Sequence, residues 1–248
     1  MTKDQIYTSK VNKVRPSDVS VSSGSKFIGA TFLYMSAALA ITFAIVGLMG
    51  GLLSLGLRGS DTSVDILGAL LIVGVLLYLP VLIWVQVAAI RQGKSVGPAF
   101  FAYSIVMGIL IAPVCLAVDI STLLIALGTT CLSFGAMALI AWQSKKDLST
   151  LGVIGSGLLI GACFIALFNI IFYFFFPMLY ALNYIAIEGI FFVAVILITI
   201  FDLNRVKQLA SSGIATKNIA LLCALNLYVD FIYIFIRLLR LIAIVRRK

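Results

Sequence analysis

Long apolar runs, each long enough to cross a lipid bilayer, dominate this chain of 248 residues. Charged and polar residues divide the chain into seven such runs. They cover approximately residues 27–57, 66–90, 96–118, 120–142, 151–176, 184–203 and 218–245. A bilayer core needs about 20 apolar residues per helix, and a helix satisfies its backbone hydrogen bonds internally. The pattern therefore predicts an all-α polytopic membrane protein, a seven-helix bundle.

The composition agrees with this fold class and excludes several kinds of chemistry. Apolar residues make up 62% of the chain and charged residues 11%, whereas soluble domains have about 45–50% and about 25%. The chain has no histidine, which excludes Ser-His-Asp catalysis and His-ligated zinc. The four cysteines stand singly inside apolar runs, which is typical of small core residues. We expect no enzymatic activity and no resident cofactor.

The net charge of +9 is distributed between the apolar runs. This pattern fits orientation in a membrane better than phosphate binding, so we expect no nucleic-acid partner. If the N-terminus is cytoplasmic, twelve cations of the tail and the connections lie inside and only Arg58 lies outside. The positive-inside rule therefore predicts a cytoplasmic N-terminal tail, residues 1–26, followed by a transmembrane domain, residues 27–248.

The last three residues do not follow this rule. Seven full crossings place Arg246, Arg247 and Lys248 outside, although cations are expected inside. A re-entrant last helix would return these residues to the cytoplasmic side. The sequence leaves both arrangements open.

Three carboxylates lie inside apolar runs, where ionisable groups are costly and usually functional. They are Glu188, Asp202 and Asp230. Glu188 and Asp202 share one face of the sixth helix, because they fall within an arc of about 80°. The same face carries Tyr184, Phe191, Val195 and Thr199.

The last helix also has a polar stripe, with spacings of three and four residues. Its members are Cys223, Asn226, Asp230, Tyr233, Arg237 and Arg240. Against lipid, this stripe would leave charged and hydrogen-bonding groups unsatisfied. It therefore predicts that the last helix is central, surrounded by the other six.

Each carboxylate also has a purely structural interpretation. Asp202 could anchor the end of its helix near Arg205, and Asp230 could pair with Arg237 to hold two helices together. Glu188 lies one turn inside the outer end of its segment, from which its side chain could reach the interface.

Two pairs of glycines have the spacing that lets membrane helices approach closely. They are Gly47 with Gly51 and Gly157 with Gly161. We interpret both pairs as packing positions.

Four segments of the chain share a wider pattern. They read S-K-K-D-L-S at 144–149, I-F-D-L-N-R-V-K at 200–207, A-L-N-L-Y-V-D-F-I-Y-I-F-I-R-L-L-R at 224–240 and, more weakly, R-Q-G-K-S-V-G at 91–97. In these segments the chain resembles the transmembrane Bax inhibitor motif family, specifically its bacterial branch. The strong part of the resemblance covers about the C-terminal 110 residues.

The resemblance implies a pH-sensitive calcium leak in a bacterial plasma membrane. In the family, two aspartates on the last two helices share a proton and act as the sensor, and they match Asp202 and Asp230. An arginine at the end of the second helix latches the pair, and Arg91 is the matching position. Many relatives carry a carboxylate on the second helix, whereas this chain has only Gln86 there.

The resemblance also suggests a route for calcium, a hard cation that prefers about six to eight oxygen ligands. Weak coordination would come from Glu188, Asp202 and Asp230, helped by Thr199 and water. An apolar constriction would be formed by Phe191 and Val195. Further residues along the route would be Asn226, Tyr233 and Arg237.

Pairing of the two aspartates requires equal depth in the membrane. Asp202 lies near the end of its apolar run, whereas Asp230 is about 18 Å along the helix from Asn218. We therefore expect the sixth helix to continue past Lys207 if the pair exists.

Two other functions compete with a leak. An intramembrane aspartyl protease would also use two membrane aspartates, but its signature of Tyr-Asp with Gly-x-Gly-Asp is absent at Asp202 and Asp230. The stronger alternative is a non-channel protein that binds and modulates other membrane proteins, such as a membrane protease, with residues 1–26 as its docking segment. Expected partners are the lipid bilayer, Ca²⁺, protons and, for the alternative, other membrane proteins.

Overall fold

The computed structural model describes residues 24–54, 61–91, 96–144, 147–175, 177–212 and 216–246. For the helical residues 52–54, 61–67, 70, 89–91, 169–175 and 177–186 it describes only the backbone. Most of the predicted tail, residues 1–23, lies outside the described residues. The first helix begins at Gly24, inside the predicted tail.

Seven helices account for nearly all of the described residues, which contain no strand. They are α1 (Gly24–Ser54), α2 (Asp61–Arg91), α3 (Val96–Leu116), α4 (Ile120–Gln143), α5 (Ser149–Phe175), α6 (Pro177–Ser211) and α7 (Lys217–Arg246). Each is long and apolar enough to cross a membrane. The predicted all-α polytopic fold is therefore confirmed.

Contacts at the two ends of the bundle show that successive helices run antiparallel. At the end that holds the α6–α7 connection, the Lys207 side chain bonds to carbonyls where α4 ends. At the opposite end, the Arg246 guanidinium donates to the hydroxyls of Ser121 and Thr122, where α4 begins. Because α7 is one continuous helix between the two ends, it crosses fully, and the re-entrant alternative is wrong.

The last helix is central, as predicted. It has the largest buried fraction among the described spans, 67%, and packs against α1, α3, α4 and α6. The expectation that all six helices surround it needs correction, because α2 packs mainly on α3 and α5 mainly on α6. These two outer helices stand away from α7 and leave room for a cavity.

Aromatic rings and one hydroxyl group join α1, α3 and α7 in the core. The ring of Phe43 meets that of Phe235 edge to face at 5.3 Å, and Tyr228 makes similar contacts with Phe100. The Thr42 hydroxyl lies 2.7 Å from the Tyr228 hydroxyl and 3.0 Å from the Ser104 carbonyl oxygen. This polar contact is buried, so it fixes the relative position of the three helices.

Glycines do bring helices together, but not the ones predicted. Among the described residues, a Cβ added at Gly157 or Gly161 would meet nothing within 4 Å, and the same holds at Gly47 and Gly51. The described part of the chain therefore shows no close helix approach at these predicted positions.

The close approach is found on α5 at different glycines. A Cβ at Gly152 would lie 2.7 Å from the Phe201 ring, and one at Gly155 would lie 2.8 Å from Ile198 Cγ1 and 3.1 Å from the Ala194 carbonyl oxygen. Gly152 and Gly155 are three residues apart and so lie outside the predicted four-residue spacing; spacing alone does not tell which face of a helix meets a neighbour.

The outer surface of the bundle is strongly apolar, as expected for contact with lipid. Leu132 on α4 is 77% exposed and Val153 on α5 is 71% exposed. The cysteine interpretation holds only in part. Cys115 and Cys223 are buried, whereas Cys131 and Cys163 are exposed and belong to this outer surface.

Candidate functional site

A cavity of about 350 Å³ lies between five helices, where α2 and α5 stand away from α7. We call it the acid cavity, because both buried aspartates line it. The lining residues are Tyr78, Leu82, Val85, Gln86, Tyr103, Leu159, Val195, Ile198, Asp202, Leu225, Asn226, Val229, Asp230 and Tyr233. The cavity is partly open to the surroundings.

Asp230 is the most deeply placed charged group of α7. Asp230 is only 7% exposed, and its carboxylate oxygen Oδ2 has no hydrogen-bond partner among the described residues. The carboxyl group interacts electrostatically with Asp202 and lies beside the Thr199 hydroxyl. That hydroxyl already donates to the Val195 carbonyl oxygen at 2.7 Å.

Asp202 enters the same cavity from α6 and is 8% exposed. Its nearest charged neighbour along the helix is Arg205, which interacts with it electrostatically. The helix does continue past Lys207, to Ser211, as the pairing of the aspartates required. Asp202 is then about 14 Å from the end of α6, and Asp230 about 20 Å from Lys217 at the start of α7.

Three further predicted residues line the acid cavity together with the aspartates. They are Val195 of the predicted constriction and Asn226 and Tyr233 of the predicted route. Asn226 and Tyr233 are exposed residues of α7, so this part of the polar stripe lies at the open side of the bundle rather than among packed helices.

The other half of the predicted route forms a separate cluster towards the opposite end. Arg237 forms an ion pair with Glu188, and its guanidinium lies 5.8 Å from the centre of the Phe191 ring. The alternative in which Arg237 pairs with Asp230 is therefore wrong. A stripe of polar residues identifies a helix face, but it does not identify the neighbour that the face meets.

The three carboxylates do not converge on one calcium site. Glu188 and Asp202 are 14 residues apart on α6, which corresponds to about 21 Å. Within the described part of the chain, no group of three or more His, Cys, Asp or Glu residues could hold a metal ion. Asp202 and Asp230 share a cavity without Glu188, and weak coordination of a passing calcium ion by the three carboxylates stays a prediction.

The predicted latch cannot be compared with this geometry. Arg91 is the last residue of α2, and its side chain lies outside the described residues.

Three polar residues that line the acid cavity were not predicted as a group. They are Tyr78 and Gln86 on α2 and Tyr103 on α3. Their only signal in the sequence was a polar atom within an apolar run.

A second polar cluster, also missed by the sequence interpretation, lies at the α6–α7 end. Lys207 Nζ donates to the carbonyl oxygens of Trp142 at 2.7 Å and Ser144 at 2.9 Å. It thereby satisfies carbonyl groups at the end of α4, where a cation also interacts favourably with the helix dipole. Lys207 therefore ties α6 to the end of α4.

Asp147 extends this cluster to the start of α5. Its carboxylate accepts from the Ser149 backbone N–H at 3.0 Å and from the Gln208 amide at 3.2 Å. The bond from the Ser149 backbone lowers the pKa of Asp147 most. The bonds from the Gln208 side chain and the Ser149 hydroxyl lower it further. The connection between α4 and α5 is thus held against α6, five or six residues beyond Asp202.

A comparison with known protein families identifies a family whose model matches this chain. The family model described as inhibitor of apoptosis-promoting Bax1 matches residues 24–247. The match includes all seven helices and both aspartates of the acid cavity.

Proposed function

Because the chain belongs to the Bax inhibitor family, we propose that it is a pH-sensitive calcium leak whose sensor is the pair Asp202 and Asp230. We further propose that it belongs to the bacterial branch and lies in the plasma membrane with its N-terminus in the cytoplasm. The observation that carries the proposal is that two buried aspartates, from two different helices, line one cavity.

The environment of Asp230 supports proton sharing in this conformation. Two carboxylates in a low-dielectric site cannot both ionise easily, so the titration belongs to the pair. The Asp230 carboxyl group lies beside the Thr199 hydroxyl, and its oxygen Oδ2 has no hydrogen-bond partner among the described residues, so a proton held between the two carboxyl groups would give this oxygen a partner. Loss of the shared proton leaves two negative charges, which repel each other and separate α6 from α7.

Separation of these helices would connect the acid cavity to the α6–α7 end. Calcium would then meet the oxygens of Asp202, Asp230 and Asn226, which are too few for tight binding by the protein alone. Such weak coordination suits a leak rather than a storage site. Glu188 and Phe191 stay proposed parts of the route, and Glu188 would have to leave Arg237 to bind an ion.

The latch remains part of the proposal. Arg91 ends α2 at the α6–α7 end, and α2 also supplies Tyr78 and Gln86 to the acid cavity. A guanidinium bound to the aspartate pair would hold α2 in place and close this end. We expect Arg91→Ala to raise the calcium flux at the pH where the wild type is closed.

The proposal is tested with the full chain in liposomes that contain a calcium-sensitive dye. Flux is measured over a series of pH values for the wild type, Asp202→Asn and Asp230→Asn. We expect the wild-type flux to depend on pH and each variant to lose most of this dependence, because an amide cannot share or release the proton. Asp119→Asn is the matched control, since Asp119 is an exposed acid in the α3–α4 turn and does not line the cavity.

Each result decides between alternatives. An unchanged pH dependence in both cavity variants refutes the sensor. The same loss in Asp119→Asn would show that surface charge alone sets the dependence. Wild-type protein that conducts no calcium at any pH would favour the alternative of a non-channel protein that modulates other membrane proteins.

A further inference from the structure

Two apolar cavities lie on the two sides of one exposed arginine near the end of α7. The first, of about 310 Å³, lies between α6 and α7, and Gly189, Phe192 and Leu241 contribute to its wall. The second, of about 430 Å³, lies between the end of α3 and α7, and Pro113 and Val118 contribute to its wall. Both cavities are lined by Arg240 and Ile244.

The charge at this place is positive. Arg237 also lines the first cavity, but it is paired with Glu188. Arg246 donates to the hydroxyls of Ser121 and Thr122 and lines neither cavity. Arg240 is exposed and forms no ion pair with any described residue. The cation between the two cavities is therefore available to an anion.

The depth of Arg240 matches that of a lipid head group. Arg240 is 23 residues after Lys217 in a continuous helix, which corresponds to about 35 Å. The hydrocarbon core of a bilayer is about 30 Å thick. Because the α6–α7 end with Lys217 projects beyond one interface, Arg240 and Ile244 lie just inside the other interface, where the Arg240 side chain reaches the head groups and the apolar cavities lie beside the acyl chains.

We infer that Arg240 and the two cavities form a binding site for one anionic phospholipid with two acyl chains. The phosphate would bind the Arg240 guanidinium, which matches phosphate oxygens in charge and geometry. One chain would occupy the cavity between α6 and α7, and the other the cavity between α3 and α7. The shared residues Arg240 and Ile244 would lie between the two chains, close to the glycerol backbone.

The inference is tested by lipid retention on the full chain in detergent, measured by native mass spectrometry. Phosphatidylglycerol and phosphatidylcholine with identical chains are added in equal amounts. We expect retention of one phosphatidylglycerol in preference to phosphatidylcholine. Arg240→Gln should reduce this preference about fivefold, the effect of one interfacial cation on an anionic lipid. Arg246→Gln, at the same end of the same helix, should leave it unchanged.

Two further arms separate the head group from the chains. Ile244→Trp introduces a large ring between the cavities without changing charge, so it should also reduce retention. Glycerol phosphate at the same concentration should not displace the lipid, because it has no acyl chains. Unfolding temperatures of all variants show that each is folded, and Arg240→Lys supplies a charge-conserving variant that should keep the preference in part.

Other outcomes overturn the inference. Equal retention of both lipids would remove the role of the phosphate charge. Equal losses in Arg240→Gln and Arg246→Gln would mean attraction to any cation at this end. Displacement by glycerol phosphate would show a simple anion site, and a second protein copy retained in place of lipid would show a dimer interface. None of these readings depends on calcium flux.

Discussion

At the residue scale, the hydroxyl of Thr42 connects three helices. It contacts the Ser104 carbonyl oxygen on α3 and the Tyr228 hydroxyl on α7, and all three residues are buried. We expect Thr42→Val to lower the free energy of unfolding by about 0.5–1.5 kcal/mol, because the buried Tyr228 hydroxyl loses one hydrogen-bond partner and keeps only the Ser104 side chain.

The measurement is unfolding in mixed micelles of a mild and a denaturing detergent. Thr129→Val is the matched control, since the Thr129 hydroxyl donates only to Ile125 of its own helix. Its free energy of unfolding should change by no more than about 0.5 kcal/mol. Equal losses in the two variants would contradict a special role for the contact between α1, α3 and α7.

The ion pair of Glu188 and Arg237 makes a second prediction at this scale. Both side chains are partly buried, and breaking a buried pair from one side leaves an uncompensated charge. Glu188→Gln and Arg237→Gln should each destabilise the protein, and the double variant should lose less than the sum of the two. A double-mutant cycle should give a coupling of about 0.5–3 kcal/mol, and strict additivity would disprove the pairing.

At the scale of the helices, the packing of α5 on α6 depends on glycines that face α6. A methyl group at Gly155 would lie 3.1 Å from the Ala194 carbonyl oxygen and 3.2 Å from the Ile198 backbone nitrogen. Gly155→Ala should therefore force the two helices apart and cost about 1–3 kcal/mol. The free energy of unfolding in mixed micelles measures this loss.

Gly157→Ala is the control, two residues further along the same helix. An added Cβ there meets no described residue within 4 Å, and alanine favours a helix over glycine by about 0.5–1 kcal/mol. This variant should be as stable as the wild type or more stable. A larger loss at Gly157 than at Gly155 would contradict the observed orientation of α5.

The connection between α4 and α5 predicts a pH-dependent contribution to stability. Hydrogen bonds from Ser149 and Gln208 lower the pKa of Asp147 in the folded protein. Its contribution is therefore present above the carboxyl pKa of the unfolded chain, about 3.9, and is lost as the pH falls through the lower folded value. Asp147→Ala should lower the unfolding temperature at neutral pH, by an amount that shrinks in acid.

Thermal unfolding in detergent at neutral and acidic pH measures this difference. Asp119→Ala is the comparison, because the exposed Asp119 makes no side-chain capping bond at the start of α4. A difference between Asp147→Ala and the wild type that is independent of pH would assign the effect to the alanine itself rather than to the carboxylate.

At the scale of the whole molecule, seven antiparallel crossings place the two ends of the described chain on opposite sides of the membrane. If the N-terminus is cytoplasmic, as proposed, a fluorescent protein that matures only in the cytoplasm should fluoresce when fused before Met1 and stay dark when fused after Lys248. A periplasmic enzyme reporter should give the reverse result. Fluorescence from both fusions would contradict seven crossings.

The number and course of the helices could be predicted because lipid imposes them: an apolar run of sufficient length has no alternative to a helix. The ends could not. The predicted sixth helix stopped at residue 203, whereas α6 continues through a polar segment to Ser211. Arg205, Lys207 and Gln208 are good helix formers, but hydropathy does not register them.

The candidate site was predictable in its carboxylates and not in its surroundings. Asp202 and Asp230 were conspicuous as charges inside apolar runs, and both line the cavity. The tyrosines Tyr78 and Tyr103 and the pair of Arg237 with Glu188 depend on which helices meet. The rotation of each helix about its axis is set by packing against neighbours, which periodicity within one segment does not contain.

The sixth helix is about 52 Å long, by the rise of an α-helix, and so exceeds the hydrocarbon core by several turns. Its projecting turns carry Lys207 and Gln208, and Asp202 lies on the same stiff rod, less than two turns deeper. A soluble molecule that binds these projecting turns would therefore act on the Asp202 carboxylate inside the membrane through one continuous helix.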